Sequence, residues 1–182
     1  DTDSMFREMR AFHKVRFYRT DVQGVADSLV FSSKDSCLTM YRDPILWNES
    51  QQLVGEKICI YMNDSTIDWA HIINQALSVE QLDTTKYNQV TGKEMKAYFR
   101  DRQMYKTEVI GSVRVVYYPM DSDSTLIGMN VSETSKLDIY LENQKLEKMV
   151  MSPKSNGTLY PITQIPSGTD KLQNFVWFDY IR

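Results

Sequence analysis

Apolar and polar residues alternate along most of this chain. Val113, Val115 and Tyr117 share one face of an extended segment, and Leu137 and Ile139 share one face of another, with charged and polar residues between them. Alternation of this kind is typical of β-strands that bury one face and expose the other. We therefore expect an antiparallel sheet with one dry and one wet face.

Turn-forming residues divide the alternating segments into strands. Clusters of Ser, Asn, Asp, Gly and Pro interrupt the pattern at short intervals, and such clusters favour turns. Pro44 lacks a backbone donor and marks a bend or an edge position. In chain order, the predicted strands are Val15–Arg19, Val25–Phe31, Cys37–Tyr41, Ile45–Trp47, Leu53–Met62, Thr66–Ala76, Leu77–Leu82, Met95–Phe99, Met104–Ile110, Ser112–Tyr118, Leu126–Ser132, Lys136–Leu141 and Leu146–Met151.

Some segments depart from simple alternation. Residues 1–12 favour either a helix or a frayed end. The run Asp68–Leu77 also fits a helical period, but its β-branched residues favour a strand. We expect a turn at Ser152–Gly157, and we expect the aromatic segment Leu172–Arg182 to fold back as a cap on one end of the sheet.

A faint internal repeat runs through the strand pattern. Gly24–Phe31 aligns with Gly92–Phe99, and at the same offset Asp43–Ile45 aligns with Gly111–Val113. Few residues are identical, but the order of strands and glycine turns recurs. Repeated multi-strand units stack on one another and bury a continuous core or trough. We expect a β-jellyroll domain at 13–151, built from degenerate repeats at about 13–82 and 87–151, and an irregular C-terminal cap at 152–182.

Composition refines this picture by exclusion. The chain has 182 residues, a net charge of −3 and well-mixed charges, so it lacks the basic surface of a nucleic-acid-binding protein. It has no apolar run of about 18 residues, which argues against a membrane-spanning helix. Its first residues lack the basic and apolar regions of a signal peptide, so we expect that any export signal has been removed.

Cys37 and Cys59 match neither a metal-binding spacing nor a CxxC redox motif. If the strands that hold them pair as a hairpin around Glu49, the two thiols lie near each other, and a disulfide can form in an oxidising compartment. The alternative is that both are free cysteines packed separately as small hydrophobic residues.

The chain carries no recognisable catalytic motif. His13 and His71 each stand alone, and P-loop, GxGxxG, HExxH and GxSxG motifs are missing. Asp121–Thr125 is acidic but lacks the glycine and the closing glutamate of an EF-hand loop, so it is interpreted as a hairpin tip. We predict that the protein is not an enzyme and has no metal site and no cofactor.

Paired carboxylates leave one enzymatic alternative open. Asp43 with Glu56, or Asp138 with Glu142, would suit a glycan hydrolase if the two groups of a pair stood about 5–9 Å apart. The sequence spacing does not require this arrangement. A deep polar cleft with two facing carboxylates would favour it.

A folded sheet offers a binding function without catalysis. If two half-sheets face each other and stay slightly open, their dry faces line a groove for acyl chains, because burial contributes about 0.8 kcal/mol per methylene. The alternative is a closed sandwich whose dry faces fill each other. Alternation alone does not separate the two.

Short motifs from about residue 13 to the end occur together in an order that resembles a known family. Their order and co-occurrence carry the resemblance, since each motif is short. The segments are Asp21–Gly24, Ala26–Leu29, Tyr87–Phe99, Met104–Gly111, Tyr117–Pro119, Leu126–Asn130, Gly157–Pro161 and Phe175–Trp177. Together they resemble the OstA-like family of Bacteroidetes, which is related to the LptA-type bridge of lipopolysaccharide transport.

The resemblance implies a periplasmic protein with a taco-shaped folded sheet, also called a β-jellyroll. It implies an interior that passes the acyl chains of lipid A to the outer membrane, with lipopolysaccharide or a related lipid as ligand. It also implies Lpt-type envelope proteins as partners, paired edge to edge through strands, and a peripheral relation to membranes. The inward residues expected to contact the ligand are Met95, Ala97, Phe99, Val109, Val113, Val115, Tyr117, Leu137, Ile139 and Leu141, with Tyr105 and Thr107 assigned to the same face.

Two features depart from a simple bridge protein. The aromatic tail is expected to form a lid where an open edge would be needed, which argues against head-to-tail assembly at that end. We also expect earlier repeats to precede residue 1. The leading hypothesis is a lipid-carrying scaffold, and the alternative is an assembly module that offers its edge strands to other envelope proteins without binding lipid.

Overall fold

The structure is a computed structural model that describes residues 5–19, 22–63, 66–143 and 145–182. These residues form β-strands and two short 3-10 helices, so the predicted all-β class is confirmed. The strands are β1 Glu8–Tyr18, β2 Gln23–Ser32, β3 Cys37–Tyr41, β4 Ile45–Asn48, β5 Gln51–Val54, β6 Lys57–Asn63, β7 Thr66–Gln81, β8 Tyr87–Arg100, β9 Gln103–Tyr117, β10 Gly128–Glu142 and β11 Lys145–Pro161. The 3-10 helices are Ile162–Gln164 and Asp179–Ile181.

All of these strands belong to one antiparallel sheet. From one side the order is β11, β10, β9, β8 and β7. Beyond β7 the sheet continues through two strand pairs placed side by side, β5 with β4 and β6 with β3, and both pairs lead to β2 and then β1. Among the described strands, β1 and β11 each pair with a single neighbour, so they form the two edges of the sheet.

A line of backbone irregularities crosses the sheet at one level and folds it in two. Strand registers shift at this level in β1, β7, β8 and β10, and the left-handed backbone conformations there come in neighbouring pairs. Extra residues and left-handed backbone bend a strand sharply. We call this line the crease, and its left-handed pairs are His13 and Lys14, Arg42 and Asp43, Asn74 and Gln75, and Gly111 and Ser112.

The crease divides the sheet into two limbs whose inner faces pack against each other. Limb 1 contains β3, β6 and the strand portions at 8–12, 28–32, 66–73, 94–100, 103–110, 136–142 and 145–152. Limb 2 contains β4, β5 and the portions at 15–18, 23–26, 76–81, 87–91, 113–117, 128–134 and 155–161. Met40, Ile58 and Met95 of limb 1 and Leu46 and Leu53 of limb 2 share one fully buried core.

The strand favoured for residues 68–77 is confirmed, but it is longer than expected. Thr66–Ala76 and Leu77–Leu82 were expected as two strands, whereas Thr66–Gln81 forms the single strand β7. Asn74 and Gln75 make a bulge in it without ending the pairing to β8. At the start of the chain, residues 8–12 belong to β1 rather than to a helix, and residues 1–4 lie outside the described part.

The turn expected at Ser152–Gly157 is wrong. β11 continues through this segment to Pro161, and Gly157 stands opposite Ser132 on β10. A Cβ at Gly157 would lie 2.6 Å from the Ser132 hydroxyl, so the glycine serves close strand packing instead of a turn. The irregular segment therefore begins only after Pro161.

The C-terminal tail, residues 162–182, folds back onto the sheet as expected, but it covers the outer face of limb 2 instead of an edge. It runs from β11 across the strands to the turn between β4 and β5, where Arg182 donates a 2.8 Å hydrogen bond to the Glu49 carbonyl. On the way, the Phe175 and Trp177 rings pack against Tyr87, with centroids 5.1 and 5.6 Å away.

Two fully buried glutamines of limb 2 hold the tail through its backbone. Gln89 Nε2 donates to the Asp170 carbonyl at 2.8 Å, and Gln89 Oε1 accepts from the Leu172 N–H at 2.8 Å. Gln52 binds the next stretch in the same way, to the Val176 carbonyl at 2.9 Å and from the Phe178 N–H at 2.8 Å. Each side-chain amide thus pairs with the tail much as a neighbouring strand would.

Candidate functional site

A cavity of about 440 Å³ opens between the two limbs at the β11 end of the sheet. This volume lies within the range of roughly 300–1,000 Å³ that is typical of small-molecule pockets. Limb 1 and limb 2 both contribute to its walls. Its apolar lining includes Val90, Met95, Val115, Tyr117, Ile139, Leu141, Leu146 and Met149.

Strand register places the apolar wall of limb 1 in rows. Ile139 on β10 stands opposite Thr107 on β9 and Met149 on β11, and all three line the cavity. Directly opposite residues of antiparallel strands share one face. The wall is therefore a rigid part of the sheet that depends on no loop.

The opposite wall carries a polar group on the inner face of β7. Glu80 lines the cavity, and its Oε2 accepts a 2.9 Å hydrogen bond from Asn88 Nδ2. Asn88 is itself oriented, because its Oδ1 accepts a 2.9 Å hydrogen bond from the Tyr118 N–H. Burial raises the pKa of the Tyr117 hydroxyl, and the negative charge of Glu80 raises it further.

The rest of the interior is filled by its own side chains. Ala97, Val109 and Val113 are 0% exposed and Val115 is 1% exposed, within a core that extends to Leu29 of β2. The space between the limbs is thus closed over most of the sheet and open beside β10 and β11. The open and the closed alternatives drawn from the sequence each describe one part of the molecule.

All of the predicted contact residues lie in the core between the limbs or pack against it. Those that line the cavity are Met95, Val115, Tyr117, Ile139 and Leu141. Those that pack in the closed part are Ala97, Phe99, Val109, Val113 and Leu137. A role of any of them in ligand contact stays a prediction.

The inward assignment of Tyr105 is wrong, whereas Thr107 lines the cavity. The Tyr105 ring lies 6.4 Å from the Tyr98 ring and under the Arg100 guanidinium at 4.4 Å, on the outer face. A register shift near the β8–β9 turn causes this, because it places the preceding residue, Met104, in the core. Alternation assigns residues to the wrong face beyond a bulge, because the extra residue shifts the order of inward and outward side chains by one.

Sequence reasoning missed several residues of the cavity. Leu146 and Met149 lie in a predicted strand, Leu146–Met151, but were not assigned to a face. Val90 precedes the predicted strand Met95–Phe99 in what proves to be one long strand, β8. Glu80 and Asn88 gave no usable signal, since polar residues are expected on the outer face.

Neither predicted pair of carboxylates lies in a deep cleft among the described residues. Asp43 and Glu56 are exposed at the crease, where both line an open depression. Asp138 lies 3.2 Å from Lys136, and Glu142 is four residues further along the same strand, about 13 Å at roughly 3.4 Å per residue. Within the described ranges, no group of three or more His, Cys, Asp or Glu residues is placed to hold a metal ion.

The histidines also lie apart from the cavity. His71 contacts Glu94, with 3.0 Å between Nε2 and Oε2, on the outer face of limb 1. His13 is exposed at the crease. The described residues 5–19, 22–63, 66–143 and 145–182 contain no helix with the length and apolar character needed to cross a membrane.

Cys37 and Cys59 are free, buried thiols brought together by the expected hairpin around Glu49. Thr39 Oγ1 lies 3.6 Å from the Cys37 Sγ and 3.9 Å from the Cys59 Sγ. The hydrogen bond between the thiols, together with burial, raises the pKa of Cys37, and the same hydrogen bond lowers the pKa of Cys59.

Comparison with known proteins supports the fold. No protein-family model matches the chain, and no curated protein matches it in sequence. Among solved structures, it is similar to LptH, the LptA homologous periplasmic component of the conserved lipopolysaccharide transport device from Pseudomonas aeruginosa. The two share 14% sequence identity and a TM-score of 0.57, over 77% of this chain and 95% of that chain. The architecture is therefore an LptA-like folded sheet.

Proposed function

We propose that this protein is a periplasmic scaffold that binds the acyl chains of lipopolysaccharide, or of a related lipid, during transport to the outer membrane. The observation that carries the proposal is the apolar cavity of about 440 Å³ between the limbs of an LptA-like sheet. The motifs that resemble the OstA-like family of Bacteroidetes point to the same role and to membership of that family. Cavity residues are assigned to the ligand, and no catalytic step is involved.

Hydrophobic burial supplies enough free energy for this role. At about 0.8 kcal/mol per methylene, ten buried methylenes contribute roughly 8 kcal/mol before the ordering cost of binding. Ile139, Leu141 and Met149 are half-buried, so their exposed area is available to a guest. A carrier needs this intermediate state, because a fully filled interior would exclude the lipid.

The sheet edges support the proposed partners. β1 and β11 each have one side without a paired strand among the described residues, and the tail lies on the outer face of limb 2. We propose that Lpt-type envelope proteins continue the sheet there by strand addition. This reverses the expectation that the tail blocks assembly, since the tail does not pair with β11.

Adjacent residues on β11 offer a matched test of the carrier function. Met149 faces the cavity, whereas Val150 is 36% exposed and points away from it. We expect Met149→Glu to weaken binding of a fluorescent acyl probe, and its displacement by lipopolysaccharide, at least tenfold. Val150→Glu adds the same charge one residue away and should change affinity by less than about twofold.

The carrier proposal fails if the wild-type protein binds neither the acyl probe nor lipopolysaccharide. In that case the assembly function is the better candidate, because it needs only the two free edges. Cross-linking from β11 to an envelope partner would then support an assembly module that binds no lipid, provided that the Met149→Glu variant cross-links to the partner as fully as the wild type does. Unfolding curves of both variants exclude a general loss of structure.

A further inference from the structure

The part of limb 2 that lines the cavity carries a carboxylate, Glu80, among apolar and uncharged polar side chains. Glu80 lies on β7 between Ser78 and Leu82, the residue that directly follows the strand, and all three line the cavity. Glu80 also lines a small adjoining space with Met104 and Leu141 of limb 1. Its position is therefore inside the groove between the limbs, beside residues that are assigned to the acyl chain.

A hydrogen-bond relay fixes the Glu80 carboxylate in place. The Tyr118 N–H occupies Asn88 Oδ1, so the Asn88 amide turns its Nδ2 toward Glu80 Oε2. Among the described residues, Asn88 is the hydrogen-bond partner of the Glu80 carboxylate, and it occupies Oε2 rather than Oε1. A fixed acceptor costs little reorganisation when a ligand binds.

The charges at this end of the cavity are mainly negative. Of the described lining residues, Glu80 and Asp121 are acidic and Lys145 is basic. Lys145 and Asp121 are exposed, whereas Glu80 is half-buried and therefore less screened by solvent. An anionic group near Glu80 would meet a like charge in partly buried surroundings, where the repulsion exceeds that in bulk water.

We infer that the cavity selects amphiphiles whose polar end donates hydrogen bonds and carries no negative charge, with Glu80 as the selecting group. This inference rests on the proposed function, because it needs an acyl chain in the cavity. Hydroxyl, amide N–H and ammonium groups satisfy the Glu80 carboxylate. A phosphate placed there has only hydrogen-bond acceptors to present to the Glu80 carboxylate, which is also an acceptor, and the two negative charges repel each other. The phosphates of a bound lipid therefore lie outside this part of the groove.

Matched detergents test the inference on the intact chain. Decyl maltoside, decylamine and decyl phosphate share one alkyl chain and differ only in the polar end, as a neutral donor, a cationic donor and an anion. Each detergent is titrated against a bound fluorescent acyl probe at pH 7, below its critical micelle concentration. We expect the dissociation constant of decyl phosphate to exceed that of decyl maltoside at least tenfold, and decylamine to bind at least as tightly as decyl maltoside.

A charge-removing pair of variants assigns the selectivity to Glu80. Glu80→Gln should reduce the ratio of the phosphate to the maltoside dissociation constant to threefold or less. Glu133→Gln removes the same charge on β10, where Glu133 lies 3.1 Å from Arg114 and outside the cavity, and should keep the wild-type ratio. Thermal unfolding of both variants confirms that they are folded.

The outcomes separate this inference from the carrier function. If all three detergents displace the probe equally, the selectivity is refuted while the acyl-binding proposal stands. If both variants change the ratio alike, the net charge of the protein sets the preference and Glu80 does not. If no detergent displaces the probe and no acyl probe binds, both proposals are overturned.

Discussion

Replacing Gln89 with methionine should release the C-terminal tail from limb 2. The buried Gln89 amide donates to the Asp170 carbonyl at 2.8 Å and to the Tyr87 carbonyl at 3.2 Å, and it accepts from the Leu172 N–H at 2.8 Å. Methionine keeps the length of the side chain but offers none of these hydrogen bonds. The two tail groups must then remain unpaired or detach into water.

The expected loss follows from the number of hydrogen bonds. Three net contributions of about 0.5–1.5 kcal/mol each give a decrease of roughly 1.5–4.5 kcal/mol in the free energy of unfolding. Leaving the tail groups buried and unpaired would cost about 1–3 kcal/mol each, so detachment is the cheaper outcome. Because the tail lies on the surface, we expect local release before global unfolding.

Amide hydrogen exchange and chemical denaturation measure the two effects together. In Gln89→Met, the Leu172 amide should lose protection, because its hydrogen-bond acceptor is gone. The Phe178 amide, which Gln52 holds, loses protection only if the tail detaches as a whole. Gln173→Met is the control, since Gln173 is an exposed tail residue. Unchanged protection at Leu172, with a stability loss below about 0.5 kcal/mol, would refute the reasoning.

A double-mutant cycle asks whether the tail detaches as one unit. If Gln89→Met already frees the whole tail, adding Gln52→Met should cost less than Gln52→Met alone. Additive costs would instead show that each glutamine holds its own stretch of tail independently.

Two further predictions concern the outer face and the core. The 2.6 Å hydrogen bond from Lys106 lowers the pKa of Glu108, so the carboxylate stabilises the fold above its usual pKa of about 4.3 and loses this effect as pH falls through the lowered value. The difference in unfolding free energy between the wild type and Glu108→Gln should therefore be about 1 kcal/mol at pH 7 and should shrink as pH falls below that usual pKa, and a pH-independent difference would contradict this. Leu137→Ala should cost about 2–5 kcal/mol in denaturant unfolding, because Leu137 is 0% exposed, yet change acyl-probe affinity less than twofold, because it does not line the cavity. A weaker probe affinity at unchanged stability would reverse that assignment.

The alternation of apolar and polar residues predicted the strands and most of the inner face, because every second residue of a strand points to the buried side. Val113, Val115 and Tyr117 on β9 and Leu137 and Ile139 on β10 all lie between the limbs, as their spacing requires. The class, the antiparallel pairing and the folded sheet followed from this signal and from the family resemblance. The division into two repeats stays a prediction.

The crease left little trace in the sequence. Three of its four left-handed pairs contain neither glycine nor proline, including His13 with Lys14 and Asn74 with Gln75. Pro44 marked a bend directly after Arg42 and Asp43, but nothing marked the other two pairs. His, Asp and Asn are the non-glycine residues that most often adopt left-handed backbone, yet they do so too seldom for their presence alone to locate a bulge. The predicted break between Ala76 and Leu77 came near one such pair but divided a continuous strand.

The cavity and the tail depend on distances that no sequence pattern encodes. Whether Ile139 and Leu141 meet side chains or open space depends on how far the limbs separate beside β11. Gln52 and Gln89 lay outside the predicted strands, so alternation gave no signal for their burial, whereas the tail buries both of them completely. These contacts join residues that are more than 80 positions apart in the chain.

The crease also restricts what can be joined to the molecule at β11. A straight strand from another protein can follow this 17-residue edge along one limb only, because the edge changes direction where the limbs meet. To pair along the full length, the incoming strand must carry an extra residue or a left-handed kink at the matching level. In an assembly that extends the sheet at β11, each added subunit must therefore have the same bend in its pairing strand. A subunit without the bend pairs along one limb only.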